Sequence, residues 1–165
     1  MLLPTKHSLL IANSALDYMD IHVRKATLSD IPAIHDLVRE LAVYEKAEEE
    51  FIASQQEYQR DFMDDIFRCQ VAEVGDIVVG MILYYMTYST WKGRMLYLED
   101  FVVKEAFRQK GIGQQLFDAF LTEAREEGCR LVKWQVLDWN EPAVRFYEKN
   151  QATIEKEWWN GKIFF

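Results

Sequence analysis

The first part of the chain alternates apolar and polar residues and then changes to a helical period. The alternation over residues 21–24 predicts a β-strand. A helix is expected to follow, with Asp30 as its N-cap, because Pro32 then falls in the first turn. Its apolar face is formed by Ile31, Ile34, Leu37, Val38 and Leu41.

Three extended segments are predicted in the middle of the chain, after a second helix over Ser54–Phe62. The first strand is Cys69–Val74, and a turn at Gly75 and Asp76 leads into the second, Ile77–Tyr85. The second strand is an unbroken apolar run, which is typical of a strand buried on both faces. The third strand is Leu96–Val103.

Helices and strands continue to alternate toward the C-terminus. An amphipathic helix is predicted over Gly113–Glu127, with Gly128 as its C-cap. A strand over Leu131–Leu137, a helix over Glu141–Lys149 and one or two strands within Glu155–Phe165 complete the pattern. This order predicts an α/β (α+β) fold. We expect an N-terminal extension over residues 1–18 and a single domain over residues 19–165.

Composition and charge narrow the class of function. The 165 residues are half apolar, with a formal net charge of −8 and a pI of about 4.9. This balance argues against nucleic-acid binding and suits a cationic partner. Cys69 and Cys129 lack metal-ligand spacing and are expected to be reduced, and three scattered histidines make a zinc site improbable. No apolar run is long enough to span a membrane.

The segment from Phe101 to Gln114 carries the clearest chemical signal. A β-branched run leads into a basic turn with Gly111 and Gly113, and a helical pattern opens immediately afterwards. Strand, glycine turn and helix start form a geometry that offers several backbone N–H groups to one phosphate. The motif is neither a P-loop nor a full dinucleotide fingerprint. By itself it also fits a plain turn that glycine caps.

A second motif gives the first its context. Residues Trp139 to Lys149 read WNEPAVRFYEK, which resembles the WNxxAxxFYxxxGA motif of the GNAT acetyltransferase superfamily. The order of elements and RxxGxG before the third helix are similar too. The resemblance covers about residues 19–165. It implies a mixed twisted sheet of six or seven strands with about four flanking helices. Acetyl-CoA would lie where the two central parallel strands splay apart. The resemblance also implies a cytoplasmic homodimer without a metal.

The resemblance assigns cofactor contacts residue by residue. Amides of the glycine turn would hold the pyrophosphate, and strand residues before it would pair with the pantetheine. Arg108 and Lys110 could also screen phosphate charge, although Lys110 is equally well a solvated surface charge. The implied set is Phe101, Val102, Val103, Arg108, Gln109, Lys110, Gly111, Ile112, Gly113, Gln114, Asn140, Ala143 and Tyr147.

Shorter signatures point to one branch of the superfamily. Segments 40–45, 84–91 and 96–101 resemble the spermidine/spermine acetyltransferase family. Ser89–Thr90, and Leu137–Asp138 directly before Trp139, are more similar to its thialysine N-acetyltransferase branch. One departure is Asn150–Gln151–Ala152 in place of the usual glycine and alanine. We expect Asn150 to end the helix there, since asparagine tolerates the left-handed conformation.

Two residues are implied to carry the chemistry. Tyr147 matches the general acid that protonates the departing thiolate, and an ordinary phenol is protonated at neutral pH. Glu99 matches the carboxylate that holds the ammonium and accepts its proton. The alternatives are a core aromatic for Tyr147 and a surface acid for Glu99. A cofactor-binding regulatory module without turnover is the rival of a different class.

The acceptor site is expected to be acidic and aromatic. Its implied members are Tyr44, Glu45, Ser89, Trp91, Glu99, Asp100 and Asp138. Such a cleft would attract a small cationic amine. Thialysine or a lysine-like amino acid comes first, a polyamine second and a protein acceptor third. The aromatic segment Trp158–Phe165 fits a dimer contact or a core strand equally well.

Overall fold

The computed structural model describes residues 20–165, so the predicted extension over residues 1–18 lies outside the described residues. The described chain contains two compact units, one ending at Lys133 and the other spanning Trp134–Phe165. The first unit contains β1 (Ile21–Lys25), α1 (Ile31–Tyr44), α2 (Gln55–Met63), β2 (Arg68–Val74), β3 (Ile77–Ser89), β4 (Gly93–Val103), α3 (Ile112–Glu126) and β5 (Leu131–Lys133). The second contains α4 (Glu141–Lys149).

The sheet has the order β1-β2-β3-β4-β5 and is mixed, as predicted. The first four strands are antiparallel neighbours, and β5 runs parallel to β4. The described residues form five strands rather than six or seven. The predicted strand Leu131–Leu137 ends at Lys133, and Glu155–Phe165 forms no strand. Aromatic residues give a segment strand propensity, but a strand also needs ladder hydrogen bonds to a second strand, and the sheet of residues 20–165 does not include this segment.

Helices cover both faces of the sheet in the first unit. On one face, the predicted apolar side of α1 packs on Val71, Met81, Leu83 and Val102. On the other face, the aromatic residues of α3 contact Tyr84 and Phe101. This two-sided cover is the reason for the unbroken apolar run of β3.

The observed helix ends agree in part with those predicted from the sequence. Asp30 directly precedes α1, but its carboxylate accepts hydrogen bonds from Arg24 and from the Thr27 amide instead of capping the helix. Gly128 is left-handed after α3, as predicted. Asn150 ends α4 with φ −87°, and the left-handed residue is Gln151, with φ 64°. Asn150 therefore ends the helix, as expected, but the left-handed conformation that was given as the reason belongs to the next residue.

Candidate active site

The glycine turn connects β4 to α3 through an irregular backbone. Gln109 and Gly111 both lie in the left-handed region, with φ 61° and 81°, and α3 begins at Ile112. Alternation of this kind directs successive amides toward one side of a turn and forms an anion-binding concavity. The first N–H groups of α3 have no intrahelical acceptor, and the helix dipole adds a partial positive charge. The turn therefore has the backbone geometry of a phosphate site.

Arg108 is held by contacts within this turn. Its Nε donates to the carbonyl of Val103 at 2.9 Å, and its guanidinium lies 5.3 Å from the ring centroid of Tyr44. A pocket of about 310 Å³ includes Tyr44, Val102 and Arg108 in its lining. The structure thus brings an expected acceptor residue, Tyr44, against an expected cofactor residue. Lys110 lies over the ring of Phe107, at 5.8 Å.

The C-terminal half of β4 has one strand neighbour in the described residues. Pairing with β5 ends at Tyr97 and Lys133, whereas pairing with β3 continues to Val103. The side chains of this half are already used in packing: Phe101 stacks on Phe117 at 6.1 Å, and Val102 is in the core beneath α1. Beyond Tyr97 the β5 side of β4 therefore faces no strand of the described residues, and the Val103 carbonyl accepts the hydrogen bond from Arg108.

A β-bulge interrupts β4 at Glu99. Asp100 pairs with Leu83 and Leu98 pairs with Tyr84, so Glu99 is an extra residue with no partner across the ladder. Leu83 belongs to the core beneath α1, which puts Asp100 on that face of the sheet. Glu99 is on the same face, because it accepts a hydrogen bond from Tyr85, two residues after Leu83. A regular strand would place two consecutive carboxylates on opposite faces; the bulge puts both on one.

Glu45, at the end of α1, completes an acidic cluster with these two residues. Burial raises the pKa of Glu45. Burial, followed by the charges of Glu99 and Glu45, raises the pKa of Asp100 to about 7. Three of the expected acceptor residues therefore lie close enough to interact, and they form a negative region suited to an ammonium group.

Two tyrosines that the sequence did not single out border this cluster. Burial and the charges of Asp100 and Glu99 raise the pKa of Tyr58, on α2. Tyr85, on β3, donates its hydroxyl hydrogen to Oε2 of Glu99 at 3.0 Å. For Tyr85, the period-two alternation from Leu83 could have indicated its face. No signal in the sequence marks Tyr58, because its proximity depends on how α2 packs.

The raised pKa of Asp100 predicts a pH-dependent gain in stability on replacement by asparagine. A carboxyl whose folded-state pKa is raised favours folding most at low pH, and that contribution is lost as the pH rises through about 7. We expect Asp100→Asn to raise the free energy of unfolding by about 2 kcal/mol at pH 8 and by less than about 0.5 kcal/mol at pH 4. Urea unfolding at both pH values measures the difference.

Asp76→Asn is the matched control, since Asp76 is an exposed carboxyl in the β2–β3 turn. It should leave stability nearly unchanged at both pH values. A destabilised Asp100→Asn protein at pH 8 would contradict the burial of an ionised carboxylate at this position.

Ser89 and Trp91 lie away from the acidic cluster within one chain. Both are at the β3–β4 turn, where the Oγ of Ser89 accepts a hydrogen bond from the Lys92 amide at 3.1 Å. Trp91 is 85% exposed. Ser89 lies four positions beyond Tyr85 along extended β3, a rise of about 13 Å. The first unit therefore does not bring Ser89 and Trp91 together with Glu99.

The remaining expected site residues are in the second unit. Tyr147, on α4, is buried, with its ring centroid 4.7 Å from that of Trp134. Asn140 is the N-cap of α4, and its Oδ1 accepts a hydrogen bond from the Ala143 amide at 3.3 Å. Asp138 is exposed in the preceding loop. The expected cofactor contacts Asn140 and Ala143 therefore also start the helix that carries Tyr147.

Comparison with known proteins identifies the class. The family model "Acetyltransferase (GNAT) family" matches residues 31–152. The chain is 37% identical over 152 residues to a thialysine N-epsilon-acetyltransferase of Bos taurus, covering 85% of this chain and 89% of that protein. It is 32% identical to spermidine/spermine N(1)-acetyltransferase-like protein 1 of Homo sapiens, over 84% of this chain and 21% of that one.

A solved structure supports the fold. An aminoglycoside acetyltransferase from a soil metagenome superimposes with a TM-score of 0.76 at 20% identity, covering 90% of this chain and 99% of that chain. The protein belongs to the GNAT acetyltransferase family and is an N-acetyltransferase. Members of this family use acetyl-CoA as the acetyl donor. The family match and the solved structure confirm the predicted fold and class of enzyme.

Some expectations stay predictions. These are the roles of individual site residues, the single domain over residues 19–165, the homodimer and the cytoplasmic location. Residues 20–165 contain no helix of the length and apolar character needed to cross a membrane. In the same residues no group of three or more His, Cys, Asp or Glu side chains forms a candidate metal site.

Proposed function

We propose that the protein transfers the acetyl group of acetyl-CoA to a primary amine of a small lysine-like amino acid, such as thialysine. The observation that carries this proposal is the bulge that gathers Glu99 and Asp100 beside Glu45. Several carboxylates close together favour a compact cationic acceptor. Relatives named for thialysine, at 37% identity over most of the chain, support the same class of acceptor.

The donor is proposed to bind along β4 and the glycine turn. Acetyl-CoA supplies a thioester carbonyl that an amine can attack. The left-handed residues Gln109 and Gly111 and the start of α3 fit its pyrophosphate. Backbone groups of Phe101, Val102 and Val103 are proposed to pair with the pantetheine amides, as the family resemblance implies. The carbonyl of Val103 accepts the hydrogen bond from Nε of Arg108, which holds Arg108 beside this strand.

Two residues are proposed to move protons. An amine attacks only in its neutral form, so the ammonium of the substrate has to lose a proton. Glu99 would hold the ammonium and accept that proton, directly or through water. Tyr147 would donate its phenolic proton to the departing thiolate. Glu45 and Asp100 would keep the surroundings of the amine negative without contacting the reacting atoms.

An acceptor screen tests this function. Purified protein with acetyl-CoA is offered thialysine, lysine, ornithine, spermidine, spermine and short diamines, and thiol release is followed. We expect the highest kcat/KM for thialysine or lysine. Glu99→Gln is the matched control, because it removes the charge but keeps the shape of the side chain. A higher kcat/KM for spermidine than for thialysine or lysine would favour a polyamine as the acceptor. If no amine in the screen gives thiol release, the proposed function is refuted.

Ser89 offers a test of acceptor length. We expect Ser89→Asp to raise the ratio of kcat/KM for spermidine over thialysine about fivefold. A new exposed carboxylate attracts the distant second ammonium of a polycation by about 1 kcal/mol. Aspartate can still accept the Lys92 amide hydrogen bond that Ser89 accepts, so the turn is retained. Competition assays with both amines measure the ratio.

The neutral variant Ser89→Asn is the control and should leave the ratio unchanged. If Ser89→Asn and Ser89→Asp change the ratio equally, charge at this position has no part in acceptor choice.

A further inference from the structure

We propose that Tyr85 is a positioning residue that fixes the orientation of the Glu99 carboxylate toward the acceptor amine. This inference rests on the function proposed above and adds a residue that the sequence did not implicate. It is carried by one hydrogen bond, one stacked ring pair and the bulge of β4.

Glu99 needs an external constraint because of where it lies. It is the extra residue of the bulge, so no residue opposes it across the β3–β4 ladder. Its side chain is exposed, and packing therefore does not select its rotamer. A long carboxylate side chain in this situation samples several rotamers, and holding it in one has an entropic cost.

Tyr85 provides that constraint. Its hydroxyl donates to Oε2 of Glu99 at 3.0 Å, across a sequence separation of 14 residues. In residues 20–165 this hydroxyl is the one hydrogen-bond donor to Glu99. The bond occupies Oε2 and leaves Oε1 as the carboxylate oxygen that can turn to a substrate.

The ring of Tyr85 is itself held in place. Tyr85 is paired with Tyr97 on β4, and the two rings stack at 5.4 Å with an interplanar angle of 24°. Both residues are half-buried. A stacked cross-strand pair restricts the motion of each ring, so the hydroxyl has a fixed position relative to the sheet.

The hydroxyl keeps its proton over the physiological range. Burial, followed by the charge of Glu99 and the hydrogen bond to it, raises the pKa of Tyr85. Tyr85 is thus a donor wherever the enzyme works, and the orientation of Glu99 does not depend on titration of its partner.

A purely structural role for Tyr85 has different consequences. If its ring only filled space, phenylalanine would replace it without effect, because the stacked pair would remain. If loss of the hydroxyl disturbed the fold, every step including acetyl-CoA binding would suffer. A positioning role predicts a selective loss that depends on the carboxylate of Glu99.

The test is a double-mutant cycle of Tyr85→Phe and Glu99→Gln, assayed by thiol release with the best acceptor from the screen. We expect Tyr85→Phe to lower kcat/KM for the amine about tenfold, since a hydrogen bond to a charged group is lost. The fall should lie mainly in kcat, because Glu45 and Asp100 still attract the ammonium. The KM for acetyl-CoA should be unchanged. In the Glu99→Gln background, the same substitution should change kcat/KM less than about twofold.

Tyr88→Phe is the matched control, because it removes a hydroxyl from the same strand at a position that is 69% exposed. An equal loss from Tyr85→Phe in both backgrounds would overturn the positioning role, as would full activity of the single variant. In either case an active wild-type enzyme leaves the proposed function standing. A wild-type protein that acetylates none of the amines would overturn both.

Discussion

Replacing Tyr147 with phenylalanine is expected to lower kcat by 100- to 1,000-fold, the range that general acid catalysis typically contributes. The departing thiolate would then have to take its proton from water. The ring would remain in its place against Trp134, so the helix that carries it should keep its structure. Affinity for acetyl-CoA should stay within about twofold, because loss of the phenol removes a proton donor and not a binding surface.

Steady-state kinetics and calorimetric titration with coenzyme A separate these two effects. Tyr88→Phe is again the control, since it deletes a phenolic hydroxyl at an exposed position on β3. A kcat within threefold of the wild-type value would remove Tyr147 from the acid role. A parallel loss of coenzyme A affinity would assign it to binding.

Gly113→Ala is expected to weaken acetyl-CoA binding about 30-fold while leaving the fold as stable as before. A Cβ built on Gly113 lies 3.6 Å from Cζ of Phe101 and 4.0 Å from Cγ2 of Val103, which is ordinary van der Waals contact. Alanine also favours the helical conformation over glycine, by up to about 1 kcal/mol. The same methyl group would stand beside the first amides of α3 and hold the pyrophosphate away from them. Losing one hydrogen bond to a charged group accounts for the size of the effect.

The substitution is expected to weaken acetyl-CoA binding without lowering the stability of the protein, which makes this test specific to the ligand. Thermal unfolding should give an equal or higher Tm, and the KM for acetyl-CoA should rise. Gly161→Ala is the matched control, because a Cβ there meets nothing within 4 Å. An unchanged KM for acetyl-CoA in Gly113→Ala would show that the pyrophosphate does not approach this amide.

Much of the fold could be predicted because periodicity reports burial. The predicted apolar face of α1 and the unbroken apolar run of β3 both lie in the hydrophobic core. The expected strand or strands within Glu155–Phe165 were the main error. The composition of this segment favours a strand, but pairing is a property of two segments, and the pattern of one segment does not reveal whether its neighbour exists.

The candidate site was predicted as a set of residue types rather than as an arrangement. The glycine turn was located correctly because its requirement is local: a left-handed backbone at Gly111 before a helix start. Gln109 was not expected to be left-handed, since side chains usually disfavour that conformation. Ser89 was grouped with Glu99 from a resemblance, although the length of β3 separates the two in one chain.

The sequence by itself determined the family and the position of the glycine turn before α3, because each depends on a few neighbouring residues. Only the tertiary structure decided that Glu99 and Asp100 share one face and that Tyr85 holds Glu99. The reason is the register of β3 on β4. One extra residue reverses the direction of every side chain beyond it, and that shift is set by the packing of both faces of the sheet.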